Sequence, residues 1–535
     1  MIRIPLPNTA PVSPAESAAW VSAKTAPTPM AGIAPGEAAT ADTRYATSTA
    51  STDAPVADMP NMSNITDDAD DMTGWRTTAS DASRLVERLL QLRAEIEQEY
   101  PIRDIIVLGV GGSALGAQVL TDQYALDLQH RGVRVRVIDT TEPDTIIAAL
   151  STFNAAAGLV IVASKSGGTV EPRSLEQVFF QHLCQVLGSA KAAAGHFISV
   201  SDEGTALTNL AKEQRWRGVI ISPRNVGGRY SVMTAFGLAP LVLAGVAPND
   251  LLASAQEMQQ RCLEDEDCPA WQLSQSLYQN YCEGRDKLII SHNDPATESF
   301  ARWLEQLLAE SLGKEGNGLI PLPMNAGRAN KLQYQGLQDV QSMSLAPMAS
   351  STLGAELVRW MFATEHLAQY LDVNPFDQPN VEAVKRSTQR ALSGNSRILA
   401  SSGFGVLLAD SRIKQVQDLS ELVTTVNDGA SYIVLMSWAP ETTQNNAALE
   451  HLAASLEAHY QRPVVIAVGP HYLHASGQLY KGGPNSGIYI LVTQDSSGDL
   501  VIPGAAHTLR QLYYAAFAAD IDVMMAQERL LVKLQ

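Results

Sequence analysis

The sequence predicts an α/β protein: two doubly wound parallel-sheet sandwich domains in tandem, behind a low-complexity, disordered N-terminal tail. Three observations carry this. Short β-branched runs alternate with helical stretches, a second such series follows a break near residues 283–286, and Gly-rich turns stand where strands end and helices begin. At 535 residues the chain is too long for one ordinary core.

Taken in order, residues 1–81 are rich in Ala, Thr, Ser, Pro and Asp, with no apolar periodicity to offset the entropy of ordering them. They are expected to be dispensable for catalysis. The folded part is expected from residue 82, where SRLVERLLQLRAEIEQEY sets Leu85, Leu89, Leu92 and Ile96 on one helical face. The first domain, 82–283, carries strands DIIVLGV (104–110), VRVRVID (133–139), GLVIVASK (158–165), HFISVS (196–201) and GVIISP (218–223). The second, 284–535, carries KLIISHN (287–293), GVLLAD (405–410), SYIVLMSW (431–438), PVVIAVG (463–469) and GIYILVTQD (487–495). In such sheets ligands collect at the carboxyl ends of the strands.

A formal net charge of −18 argues against a broad surface for nucleic acid or an anionic membrane, and leaves room for a local pocket holding one phosphate. The apolar stretch 233–246 is too short to cross a bilayer and contains Pro240. The start of the chain reads as neither signal nor transit peptide. Four cysteines, Cys184, Cys262, Cys268 and Cys282, are sparse and form no CxxC pair, which favours a reducing compartment, the cytoplasm by default. No His/Cys cluster has metal-ligand spacing, and neither a metal nor an organic cofactor is expected.

Two turns carry chemistry. Gly111-Gly112-Ser113-Ala114-Leu115-Gly116 follows the first strand and lets backbone N–H groups approach a ligand, but it lacks the spacing of a dinucleotide fingerprint or a P-loop. Ser164-Lys165-Ser166-Gly167-Gly168-Thr169 combines three hydroxyls, two glycines and a cation at a helix start. That is a phosphate cradle, because hydroxyls and N–H groups at a helix N-terminus hold a dianion with little added positive charge.

With three further segments the sequence resembles the glucose-6-phosphate isomerase family of tandem sugar-isomerase domains. Val226-Gly227-Gly228-Arg229-Tyr230-Ser231 is similar to that family's GGR-[FY]-S signature, with Arg224 where an acidic or small polar residue is usual. Glu310-Ser311-Leu312-Gly313-Lys314 resembles its ESxGK stretch, and the run from Phe376 to Lys385 resembles its DQxxVExxK signature. The stretch YLHASGQ (472–478) with KGGP (481–484) looks like the subset found fused to transaldolase.

The resemblance implies a glucose-6-phosphate isomerase, working by ring opening and proton transfer through a cis-enediolate. It implies Glu310 as the base, Arg229 at the enediolate oxygen, Lys385 near the ring oxygen, and Gln378 on the phosphate beside the cradle of Ser164, Lys165, Ser166 and Thr169, with Gly112 and Ser113 as further substrate-binding residues. Aldose–ketose chemistry itself asks for a base over the carbon beside the carbonyl and a cation for the oxyanion.

One role is unfilled. Bacterial relatives carry a ring-opening histidine about twenty residues after ESxGK, and GLIPLPMNAGRANKLQYQGLQ contains none. Glu171 matches the carboxylate that orients it, and His474 is the best replacement among the ten histidines. The partner implied is a small-molecule sugar phosphate, with no nucleic acid or membrane, and a homodimer is allowed. The alternatives are an isomerase of another phosphosugar, including a dual glucose/mannose 6-phosphate enzyme, and a non-catalytic sugar-phosphate sensor.

Overall fold

The computed structural model describes residues 72–265, 267–334, 337–393, 403–416 and 431–534, and the stretch before residue 72 lies outside them. The first sheet contains β1 (Asp104–Leu108), β2 (Arg134–Ile138), β3 (Gly158–Ala163), β4 (Phe197–Asp202) and β5 (Gly218–Ser222), all parallel, in the order β2-β1-β3-β4-β5. Its central strands are buried and mostly apolar because helices cover both faces. Ile105, Val107 and Ile161 face one core, while Ile106, Leu108 and Val160 face another. The order reverses at β1, so the crevice over the carboxyl ends of β1 and β3 is where a ligand is expected.

The second series is divided. β6 (Lys287–His292), β7 (Ile320–Asn325) and β8 (Val340–Ser344) form one parallel sheet in the order β7-β6-β8. β9 (Lys414–Val416), β10 (Tyr432–Trp438), β11 (Val464–Val468), β12 (Gly487–Thr493) and β13 (Leu530–Leu534) form another, in the order β11-β10-β12-β13-β9. β7 has no strand signature because of Pro321 and Pro323, which an edge strand tolerates.

The strand expected at 405–410 is instead a short helix, Phe404–Leu407, followed by a turn. Four apolar residues do not distinguish the two periods. The choice is made by distant groups: the Phe404 N–H donates to Asp495 at 2.8 Å, and the Phe404 ring packs edge-on against Tyr514 and Phe517.

The folded chain starts ahead of residue 82. Gly74–Thr77 form a 3-10 turn that runs into the helix Thr78–Glu97. Trp75 is buried and stacks on Tyr230 at 4.7 Å, the Gly74 N–H donates to the Asn225 carbonyl, and Arg76 makes two hydrogen bonds to Glu365. Cys262 and Cys268, expected to be reduced, are paired across the turn between the helices Asn249–Glu264 and Pro269–Cys282, whereas Cys184 and Cys282 are free. The chain reversal there brings the two cysteines together. Among the described residues no helix is long and apolar enough to cross a membrane, and the 233–246 stretch contains a fully buried helix, Ala235–Leu243.

Candidate active site

The 164–169 loop leaves β3 at its carboxyl end and enters the helix Val170–Leu187. Gly167 has φ 63°, a left-handed conformation, and a Cβ there would fall 2.5 Å from that of Thr205. Thr169 is the N-cap residue, yet its side chain caps nothing. Its hydroxyl accepts from Ser164 Oγ at 3.3 Å and meets Ser166 Oγ at 3.3 Å, so three hydroxyls converge at the helix start. Lys165 turns away from them. Its ammonium lies 2.7 Å from Asp202 and donates to the Pro223 and Arg224 carbonyls.

A cleft beside this loop is lined by Thr169, Glu171, Lys385, Thr388, Leu473 and His474. His474 Nε2 stands 3.0 Å from Glu171 Oε1, with both residues buried. Burial alone would raise the Glu171 pKa, but the neighbouring His474 outweighs it and holds the carboxyl below its ordinary range. Lys385 adds to that effect and is itself paired with Glu382 at 2.7 Å, one turn earlier on the helix Pro379–Ser393.

The second cluster surrounds Arg229, in the 3-10 turn Gly228–Tyr230. Its Nε donates to Glu310 Oε2 at 3.0 Å, Nη1 to the Glu310 and Pro375 carbonyls, and Nη2 to Gln378 Oε1. Gln378 therefore meets the guanidinium here. Glu310 is buried near the end of the helix Pro295–Leu312. In the same signature, Lys314 is pushed down to about 8 by burial and by Arg229, although it lies 2.6 Å from Asp377.

Sequence reasoning missed the residue that joins the clusters. Gln306 is buried one helical turn before Glu310, and its Nε2 donates to Glu310 Oε2 at 3.1 Å and to the His474 carbonyl at 2.8 Å. Its place four residues before a proposed base, on one helix face, was the available signal. The turn after β1 makes this approach possible. A Cβ on Gly111 (φ 58°) would lie 2.7 Å from the His474 carbonyl oxygen, and one on Gly112 would lie 1.9 Å from the Gly228 carbonyl oxygen. Ser113 is buried behind them. The arrangement offers a dianion cradle, an imidazole–carboxylate pair and a carboxylate–guanidinium pair within one connected set of side chains.

Comparison with known proteins bears on the family and the fold. The phosphoglucose isomerase family profile matches residues 65–318. The glucose-6-phosphate isomerase of Prochlorococcus marinus is 25% identical over 423 residues, covering 67% of this chain and 77% of that protein. That of Nostoc punctiforme is 35% identical over 368 residues, covering 56% of this chain and 67% of that protein. That of Citrifermentans bemidjiense is 37% identical over 221 residues, and there the match spans only 40% of the relative. A hypothetical protein from Thermus thermophilus shares the fold, with a TM-score of 0.55 and 22% identity, over 61% of this chain and 92% of that one. With the profile covering the cradle, Arg229 and Glu310, and the Nostoc relative matched over two thirds of its length, this chain belongs to the glucose-6-phosphate isomerase (phosphoglucose isomerase) family.

Proposed function

We propose that this chain interconverts D-glucose 6-phosphate and D-fructose 6-phosphate, with its own side chains moving every proton. The observation that supports this reading most strongly is the convergence of Glu171, His474 and Lys385 on one cleft beside the hydroxyl cradle.

Ser164, Ser166 and Thr169 hold the phosphate with the N–H groups at the start of the 170–187 helix. Glu171 holds His474 by its Nε2, which leaves Nδ1 to act on the sugar. His474 and Lys385 then exchange protons at the ring hydroxyl and ring oxygen and open the sugar. Glu310 takes the proton from C2 of the aldose and returns it to C1, while Arg229, aimed from its tight turn, stabilises the enediolate oxygen. Gln306 keeps the base and the histidine turn in register.

Formation of fructose 6-phosphate from glucose 6-phosphate, with mannose 6-phosphate in parallel, tests this directly. Turnover of the glucose compound is expected. Binding of both sugars without turnover of either would make the chain a sensor.

A further inference from the structure

The histidine turn is tied to the first sheet at two points, and the second tie lies outside the proposed chemistry. His471 and His474 begin and end the 3-10 turn His471–His474. In a 3-10 helix side chains three residues apart eclipse, so both imidazoles leave the turn on one side. His474 reaches Glu171, beyond β3. His471 Nδ1 reaches Oδ2 of Asp139, the residue just after β2, across 332 positions of sequence. β1 lies between β2 and β3, and the glycine turn after it passes under the His474 carbonyl. The turn therefore spans the carboxyl ends of β2, β1 and β3.

The rest of the segment is anchored to the other half of the chain. Tyr472 donates to Asp520 at 2.6 Å and accepts from Trp438 at 3.0 Å, and Lys481 pairs with Asp520 at 2.6 Å with both side chains fully buried. These contacts tie the segment to the second half of the chain, and the Asp139–His471 contact ties it to the first sheet.

We propose that the Asp139–His471 pair positions His474 for ring opening. This rests on the ring-opening role assigned to His474 above. The charges around the pair fit a lasting tie. Burial would lower the His471 pKa and raise that of Asp139, yet each partner outweighs burial for the other, with Arg302 and Glu441 close by. The pair acts through His474 and touches no substrate, so its loss is felt only where ring opening is needed.

The test compares two ketose substrates in the full-length protein. Fructose 6-phosphate is largely cyclic; 5-deoxyfructose 6-phosphate has no hydroxyl with which its ketone can close a ring. Asp139→Ala and His471→Ala should lower turnover of the first at least about tenfold relative to wild type, since a small misplacement of a reacting group is costly. They should leave the second within about twofold. Asp139→Asn, isosteric and uncharged, shows the same split more weakly and replaces the Ala variant if that does not fold. An equal fall on both substrates, or no fall on either, overturns the positioning role. His474→Ala is run alongside. If it shows no split, the ring-opening assignment itself is wrong; if it shows the split and the Asp139 variants do not, only the positioning inference fails.

Discussion

Glu171 and His474 meet at 3.0 Å although 303 residues separate them in the chain. One sits in the first turn of the helix that follows the 164–169 loop, the other in a turn between β11 and β12. Their contact places an imidazole where the expected histidine segment has none, and it depends on glycine at position 111, where any side chain would strike the His474 carbonyl.

Replacing the proposed base is the most direct test of the chemistry. Glu310→Gln keeps the shape and can still accept from Arg229, but it cannot take a proton. Isomerisation and solvent exchange of the C2 proton should fall together, by at least about a hundredfold. The open-chain ketose should not restore isomerisation, whereas it should restore much of the loss in Lys385→Ala. Rescue of Glu310→Gln by that substrate would place the base elsewhere.

The cradle is tested by affinity. Ser164→Ala with Thr169→Val removes two of three converging hydroxyls, each worth about 1.5–3 kcal/mol as a bond to a charged group. Titration calorimetry with a non-isomerisable sugar phosphate should show binding weakened by at least about tenfold. Unchanged affinity would mean that the phosphate binds elsewhere.

The residues just before position 82 contribute to stability. Removing the Trp75 ring from its stack on Tyr230 should cost about 3–5 kcal/mol, in the range of a buried aromatic truncated to Ala. Denaturant unfolding of Trp75→Ala should show that loss, and a chain starting at residue 82 should be destabilised at least as much. A chain starting at residue 72 should match the full-length protein. If the chain from residue 82 unfolds with the same midpoint, the contacts of residues 74–77 are incidental.

A pH-dependent cost is built into Glu176. Burial raises its carboxyl to about 7, with only partial compensation from Arg173 at 3.2 Å. Its folded pKa lies above the unfolded value, so the folded state holds the extra proton and stability falls as pH rises from about 4.5 to about 7. Glu176→Gln removes the charge and should raise Tm at pH 8, by an amount equivalent to at most about 3 kcal/mol. Near pH 4 it should change little. An equal Tm gain at both values would show that packing, not ionisation, is responsible.

The sequence by itself determined the elements whose signal is local. The first-sheet strands, the helix that bears Glu310 and the Gly-rich turns after β1 and β3 are readable because apolar periodicity and turn glycines act over a few residues. Tertiary structure decided what depends on remote partners. Asp495 and an aromatic cluster made 404–407 a helix, Tyr230 and Glu365 drew residues 74–77 into the fold, and sheet position made a strand of a segment with two prolines. Lys165 illustrates the same limit within the site: its place in the loop suggested a phosphate contact, but Asp202 on β4 holds its ammonium. The meeting of His474 with Glu171, and of its carbonyl with Gln306, is set by how the loops stack on glycine backbone. No local pattern encodes that, because the free energy that fixes it lies in contacts hundreds of positions apart.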